Sequence, residues 1–299
     1  MTILFASDLD QTLIYSRNSM GDQADEEALV EVEELDGRPQ SFMTKQGQAA
    51  LWNLGSSAVF LPVTTRTRTQ YERVTGIHPN FVPPRYAVVS NGAVILKDGE
   101  PVTEWSETIR AQCISKKTLV DQLLPLIQAH FSEEWVLKLR EADGWFVYLI
   151  IDLNRFPAEK LPFYTKLFRE IGWALSLQGR KMYFMPESIT KAKAMEYVKA
   201  QLKAKYVIAA GDSLLDLDLL ESADYGLLAL HGEAVRNQAA ISAHIHVTKQ
   251  QGIKAGEEIL ARSLEIAVQH TQARRETHGS TAAGSRENVG SGKSRGMAE

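Results

Sequence analysis

Two aspartates close the first apolar run of the chain. In MTILFASDLDQTLIYS, residues 3–6 read as a short buried strand, and Asp8 and Asp10 follow it two positions apart. On an extended chain, residues spaced by two point the same way, and like charges held that close need a cation or a proton to relieve them. A single pair of this kind also fits an ordinary strand exit with solvated acids, so its partners decide. Two further apolar runs end in polar residues, AVFLPVTT at Thr64 and YVIAAGD at Asp212, with Asp216 just beyond and Lys191 opening the helix before the second run. Acids, a hydroxyl and a cation suit metal-assisted phosphoryl transfer. Mg2+ prefers carboxylate and water oxygens and commonly shares its shell with phosphate; Asp8, Asp212 and the backbone near Asp10 would hold it. Asp8 would attack phosphorus and form an aspartyl-phosphate. Asp10 would protonate the leaving oxygen, then take a proton from the hydrolytic water. Thr64 would donate to a phosphoryl oxygen, and Lys191 would stabilise the charge on the transferring group.

Positioning these residues requires strand ends gathered at one edge of a sheet. Strands and helices alternate at both ends of the sequence, which predicts an α/β fold, a Rossmann-like three-layer core with a parallel central sheet. In such sheets ligands bind beyond the carboxyl ends of the strands. Residues 13–42 include an acidic run and LVEVEELDGRPQSF, where Asp36-Gly37 suits a tight hairpin turn. This predicts an enlarged flap beside the pocket, its acids forming a solvated face. Thr44 reads as the N-cap of a helix over 45–53 closed by Gly55, and TRTQYERVTG as a further helix. YAVVSNGAVIL reads as one strand region, with a hairpin turn at Asp98-Gly99. From 106 to 185 the order becomes helix-strand-strand, twice: a helix over 116–131, strands joined near Asp143-Gly144, a helix over 157–171, and strands joined at Gln178-Gly179. An inserted α+β cap domain is expected there. The core is therefore discontinuous, 1–105 and 186–270, with its last helix over 253–270. Residues 271–299, rich in Gly, Ser, Arg and Glu, are expected to be a disordered tail.

DLDQT (8–12), the strand-final Thr64, Lys191 and GDSLLD (211–216) resemble the four motifs of the haloacid dehalogenase (HAD) superfamily, in the right order and on the right elements. VTTRT resembles the TGR of its Cof-like subgroup, SNGA matches its NGA, and TKAKAMEYV is similar to its KGxAL. The inserted module is similar to the caps of Cof-like and sucrose-phosphate-phosphatase-like enzymes. The resemblance implies that Asp8 is the nucleophile, Asp10 the acid/base, and Thr64 and Lys191 phosphate ligands, with Asp8, Asp10, Asp212 and Asp216 at the Mg2+ end. It extends the substrate-binding set to Thr65, Arg66, Asn91 and Gly92. The inserted strands themselves offer Lys138, Arg140, Arg180, Lys181 and Tyr183 as polar groups. These either select the leaving group, with Arg180 counted as substrate-binding, or form the solvent face of alternating strands. Thr65 and Ala192 stand where the subgroup usually has Gly, Leu215 where Asn is frequent, and Gln11 where Gly is frequent. None of these departures removes a charge that the chemistry needs.

The expected activity is Mg2+-dependent hydrolysis of a small phosphorylated metabolite, phosphosugar-like, by a phosphoric monoester hydrolase. A phosphomutase of the same superfamily and a non-catalytic phosphometabolite-binding module are the alternatives. The 299 residues can hold a large core, and a net charge of -4 gives no reason to expect nucleic acid or a membrane as partner. The one cysteine, Cys113, excludes an internal disulfide and points to the cytoplasm. No signal peptide is read at the start, and no run approaches the ~20 apolar residues that would span a bilayer. A monomer or weak homodimer is expected. The seven histidines are scattered and offer no zinc set.

Overall fold

The computed structural model describes residues 2–22 and 24–283. Strand β1 (Thr2–Ser7) is apolar and buried on both faces, as a strand inside a parallel sheet must be. The flap hairpin follows, β2 (Leu29–Leu35) and β3 (Arg38–Thr44), turning on left-handed Asp36 and Gly37 at φ 52° and 72°. Thr44 then caps α1 (Lys45–Leu54), its hydroxyl accepting from the Gly47 amide at 3.0 Å. Strand β4 (Val59–Pro62) and the single-turn α2 (Arg68–Tyr71) lead to β5 (Tyr86–Val89), β6 (Val94–Lys97) and β7 (Glu100–Pro101). Next come α3 (Thr103–Ser115), α4 (Val120–His130), β8 (Val136–Ala142), β9 (Phe146–Ile151), α5 (Leu161–Arg169), β10 (Trp173–Gln178) and β11 (Lys181–Pro186). The chain ends through α6 (Lys191–Leu202), β12 (Ala204–Gly211), α7 (Leu217–Glu221), β13 (Tyr225–Leu228), α8 (Glu233–Arg236), β14 (Ile245–Val247) and α9 (Ile253–Ala283).

The α/β fold class expected from the sequence is what the chain adopts. Five strands form a parallel sheet in the order β14-β13-β12-β1-β4. A parallel bridge from Val63 to Val88 brings β5 alongside β4. From β1 the chain builds outward to β4 on one side and later to β12, β13 and β14 on the other. Order therefore reverses at β1, which opens a crevice beyond the carboxyl ends of β1 and β12. Leu4, Phe5, Leu61, Val207, Ile208, Ile259 and Leu260 are among the buried residues of this core. A second, antiparallel sheet, β10-β11-β9-β8, is inserted between α4 and α6 and has its own apolar cluster under α4 and α5.

Several elements differ from expectation, each for a local reason. The TRTQYERVTG helix stops after one turn, because the Gly76 amide donates to Val32 O in the flap. Gly76 lies so close there that a Cβ would sit 2.7 Å from Val32 Cα. YAVVSNGAVIL is two strands, since left-handed Ser90 and Asn91 (φ 49° and 56°) fold it back on itself. The helix expected over 116–131 begins only at Val120, after a left-handed Lys117 at φ 55°. Helix α3, unexpected from the sequence, buries Trp105, Ile109 and Cys113 at a spacing of four. Gly55 closes α1 in the right-handed region, at φ -58°. Helix α9 continues past residue 271 to Ala283, where a disordered tail was expected; residues 284–299 of that tail lie outside those described. Among the described residues, no helix is long and apolar enough to cross a membrane.

Candidate active site

Asp8 leaves the carboxyl end of β1 with its amide donating to Ala210 O at 2.9 Å, so the first loop is tied to the end of β12. That link sets Asp8 beside Asp212, both only 5% exposed. Lys191 reaches in from the first turn of α6 between Asp8 and Asp216, its Nζ 2.6 Å from Asp8 Oδ1 and 2.5 Å from Asp216 Oδ1. The Thr12 hydroxyl lies 3.4 Å from both Asp8 Oδ2 and Asp212 Oδ1. Three buried carboxylates thus face one ammonium. Burial, with Asp216 and Asp10 nearby, pushes Asp8 up to about 7 despite Lys191. Burial and the neighbouring acids Asp216 and Asp8 push Asp212 well above the ordinary carboxylate range. Burial works against the Lys191 charge, yet Asp216 and Asp8 more than offset it and raise the group.

This floor fits a divalent cation. It offers hard oxygen donors and lacks the positive charge that three carboxylates require, and oxygens of Asp8, Asp212 and Asp216 lie within 4.8 Å of one another. Asp216 is nevertheless occupied: Oδ1 takes Lys191, while Oδ2 accepts from the Asp212 and Ser213 amides and the Ser213 hydroxyl at 3.1, 2.9 and 2.8 Å. It orients Lys191 and the 212–213 turn. Asp8 and Asp212 are left as the carboxylates open to a cation. Asp10, also expected at the metal end, turns its carboxylate to Arg66 instead.

A second ionic network forms the side wall. Arg66 grips Asp10 in a fork, Nε to Oδ2 at 2.7 Å and Nη2 to Oδ1 at 2.8 Å. Its outer edge grips Glu33 of the flap at 2.7 and 2.9 Å. Glu33 also accepts from the Ser41 hydroxyl at 2.6 Å and pairs with Arg73 at 3.3 Å. Burial pushes Asp10 up, but Arg66, with Lys181 and Lys191, holds it below the ordinary carboxylate range. Glu33 is held low in the same way by Arg66 against its burial. At 4% exposure Glu33 is no member of a solvated acidic face, which corrects the reading of the flap.

Flap, core loops and the inserted sheet enclose a cavity of about 610 Å³, reached by Asp8, Asp10, Asp212 and Lys191. Arg66, Thr65 and Arg180 line it too. Thr64 does not: it is fully buried, and its hydroxyl accepts the Arg66 amide at 3.2 Å. Thr65, the next residue, is the one that lines the cavity. Asn91 and Gly92 also lie away from the cavity lining. Gly92 sits at φ 102° against the start of α6, where a Cβ would be 2.3 Å from Thr190 O. Its place is to let two backbones meet and so set Lys191. Gly92→Ala is expected to lose about 2 kcal/mol or more in urea unfolding. A variant as stable as wild type would show that the close approach is dispensable.

No family model and no curated protein matches the sequence. Solved structures match its fold over almost the whole length. A sucrose-phosphatase from Synechocystis sp., solved with sucrose and phosphate, is 16% identical with a TM-score of 0.64, covering 88% of this chain and 98% of its own. A trehalose-6-phosphate phosphatase related protein is 16% identical with a TM-score of 0.50, over 89% and 99%. A HAD-superfamily phosphatase from Bacteroides thetaiotaomicron is 13% identical with a TM-score of 0.50, over 88% and 95%. At these identities the likeness is one of fold.

Proposed function

We propose that the chain is a Mg2+-dependent HAD-type phosphatase that hydrolyses a small phosphorylated metabolite, of phosphosugar kind, through an aspartyl-phosphate on Asp8. The observation that carries this reading is the floor itself: a buried carboxylate held by Lys191 beside a second open carboxylate, at the crevice where strand order reverses. The fold shared with a sucrose-phosphatase supports it.

Asp8 and Asp212 would hold the metal. When bound, Mg2+ supplies the positive charge that lets a carboxylate nucleophile approach a phosphate monoester. Lys191 fixes the Asp8 carboxylate and supplies charge stabilisation as negative charge gathers on the transferring group. An Asp8 oxygen bonds to phosphorus as the ester oxygen departs, and water then hydrolyses the acyl phosphate. Arg66 holds Asp10 as the carboxylate, the form that accepts a proton from that water. For the earlier step, donation to the leaving oxygen, Asp10 must be protonated and drawn off Arg66. Thr65 stands at the cavity where Thr64 was expected. Purified protein is expected to release phosphate from sugar phosphates with Mg2+ and to lose that activity in EDTA. No release from a broad phosphometabolite panel with Mg2+ would overturn the reading.

A further inference from the structure

The floor answers the charge of a phosphoryl group, yet the inserted sheet turns a second set of cations toward the same cavity. Residues paired directly across antiparallel strands share a face. Gln178 pairs with Lys181, Lys181 with Ile150, Ile150 with Lys138, and Tyr148 with Arg140. Gln178, Lys181, Ile150 and Tyr148 line the cavity; Lys138 and Arg140 share their face by register but lie outside the cavity lining. Arg180, in the β10–β11 turn, lines the cavity as well. The other face carries Val147, Leu149 and Phe184 and is covered by α4 and α5.

Among the described residues, none of Lys138, Arg140, Arg180 and Lys181 enters an ion pair. Lys191 of the floor and Arg66 of the side wall are each matched by two carboxylates. Beside the free cations, Gln178 Nε2 is buried without a hydrogen-bond partner. Glu141, the acid that this sheet brings to the cavity, pairs with Val147, about 10 Å along β9 from the partner of Lys181. One corner of the cavity roof therefore offers donors and positive charge that no carboxylate is bonded to, and Asp10, the acid that feels Lys181, is already clamped by Arg66.

We propose that the substrate's leaving group carries an anionic group of its own, a carboxylate or a second phosphate, held by Arg180 and Lys181 with Gln178 beside them. This rests on the phosphatase reading of the floor and narrows it to phosphorylated sugar acids, phosphoglycerate-like esters and bisphosphates. Charge-assisted hydrogen bonds of this kind discriminate strongly between a charged and a neutral group of similar size.

Matched substrate pairs test it: phosphoglycerate against glycerol phosphate, phosphogluconate against glucose phosphate, and a hexose bisphosphate against the monophosphate. The anionic member of at least one pair is expected to be preferred by about tenfold or more in kcat/KM. The first two pairs report a carboxylate and the third a second phosphate. In Arg180→Gln/Lys181→Gln, two exposed positions, that ratio is expected to fall close to one. A wild-type ratio at or below one in every pair, or a ratio unchanged in the double variant, overturns the proposal. Calorimetry on Asp8→Asn protein with the same compounds separates this result from the chemistry. Tighter binding of the anionic member supports the roof site even if no phosphate is ever released, and equal binding overturns it.

Discussion

Asp8→Asn is expected to abolish phosphate release, lowering kcat by about a thousandfold or more while leaving the fold intact. The substitution keeps the shape of the side chain and an oxygen that can still accept from Lys191 Nζ at its 2.6 Å position. It removes the carboxylate that would bond to phosphorus. No neighbour can stand in. Asp216 has both oxygens occupied, Asp10 is clamped by Arg66, and Asp212 grows from the end of the adjacent strand. Because the floor already holds more acid than it can balance, losing one charge should not unfold the protein. Circular dichroism and thermal melting check that point, and phosphate release checks the chemistry. A variant within tenfold of wild type would refute Asp8 as the nucleophile.

Lys191→Met should do more damage to the molecule. The ammonium is buried between Asp8 and Asp216, so its removal leaves two carboxylates facing each other without a counter-charge. Breaking a buried ion pair from one side typically costs about 3–5 kcal/mol. Guanidinium unfolding at neutral pH is the measurement, and a midpoint equal to wild type would show that the ammonium is not needed for the fold. The double variant Lys191→Met/Asp216→Asn separates the two roles. Relieving one carboxylate should recover part of the stability while turnover stays lost, because the charge beside the transferring group is still missing. Recovery of turnover along with stability would remove Lys191 from the chemistry.

The parts of the site that are local in sequence were legible. DLDQT, Lys191 and GDSLLD each occupy a strand end or helix start whose type and order the apolar runs declare. The three Asp-Gly turns, at Asp36, Asp98 and Asp143, were legible too, since each needs two left-handed residues in succession. Glu33 was not. LVEVEE gives no sign which glutamate faces Arg66, because the flap ladder is irregular between Glu31 and Glu34 and simple alternation fails there. The signal that could have found it is composition: the wall carries Arg66 and Arg73 and needs acid from somewhere. Thr64 and Thr65 are adjacent, so which one faces the cavity depends on the turn after β4. Asn91-Gly92 was singled out for the pocket, whereas the space it leaves is filled by the start of α6. Helix α3 went unseen because its buried stripe is only Trp105, Ile109 and Cys113, and the apolar Ile114 beside it is exposed, which blurs the periodicity.

The inserted sheet is joined to the rest of the chain at two places, after α3 and between Pro186 and Lys191. Everything that would break the phosphorus–oxygen bond lies outside that stretch, and the cationic roof lies wholly within it. The two parts are therefore separable by design: a graft confined to residues 116–186 would replace the cavity roof while Asp8, Asp10, Asp212 and Lys191 keep their places in the core.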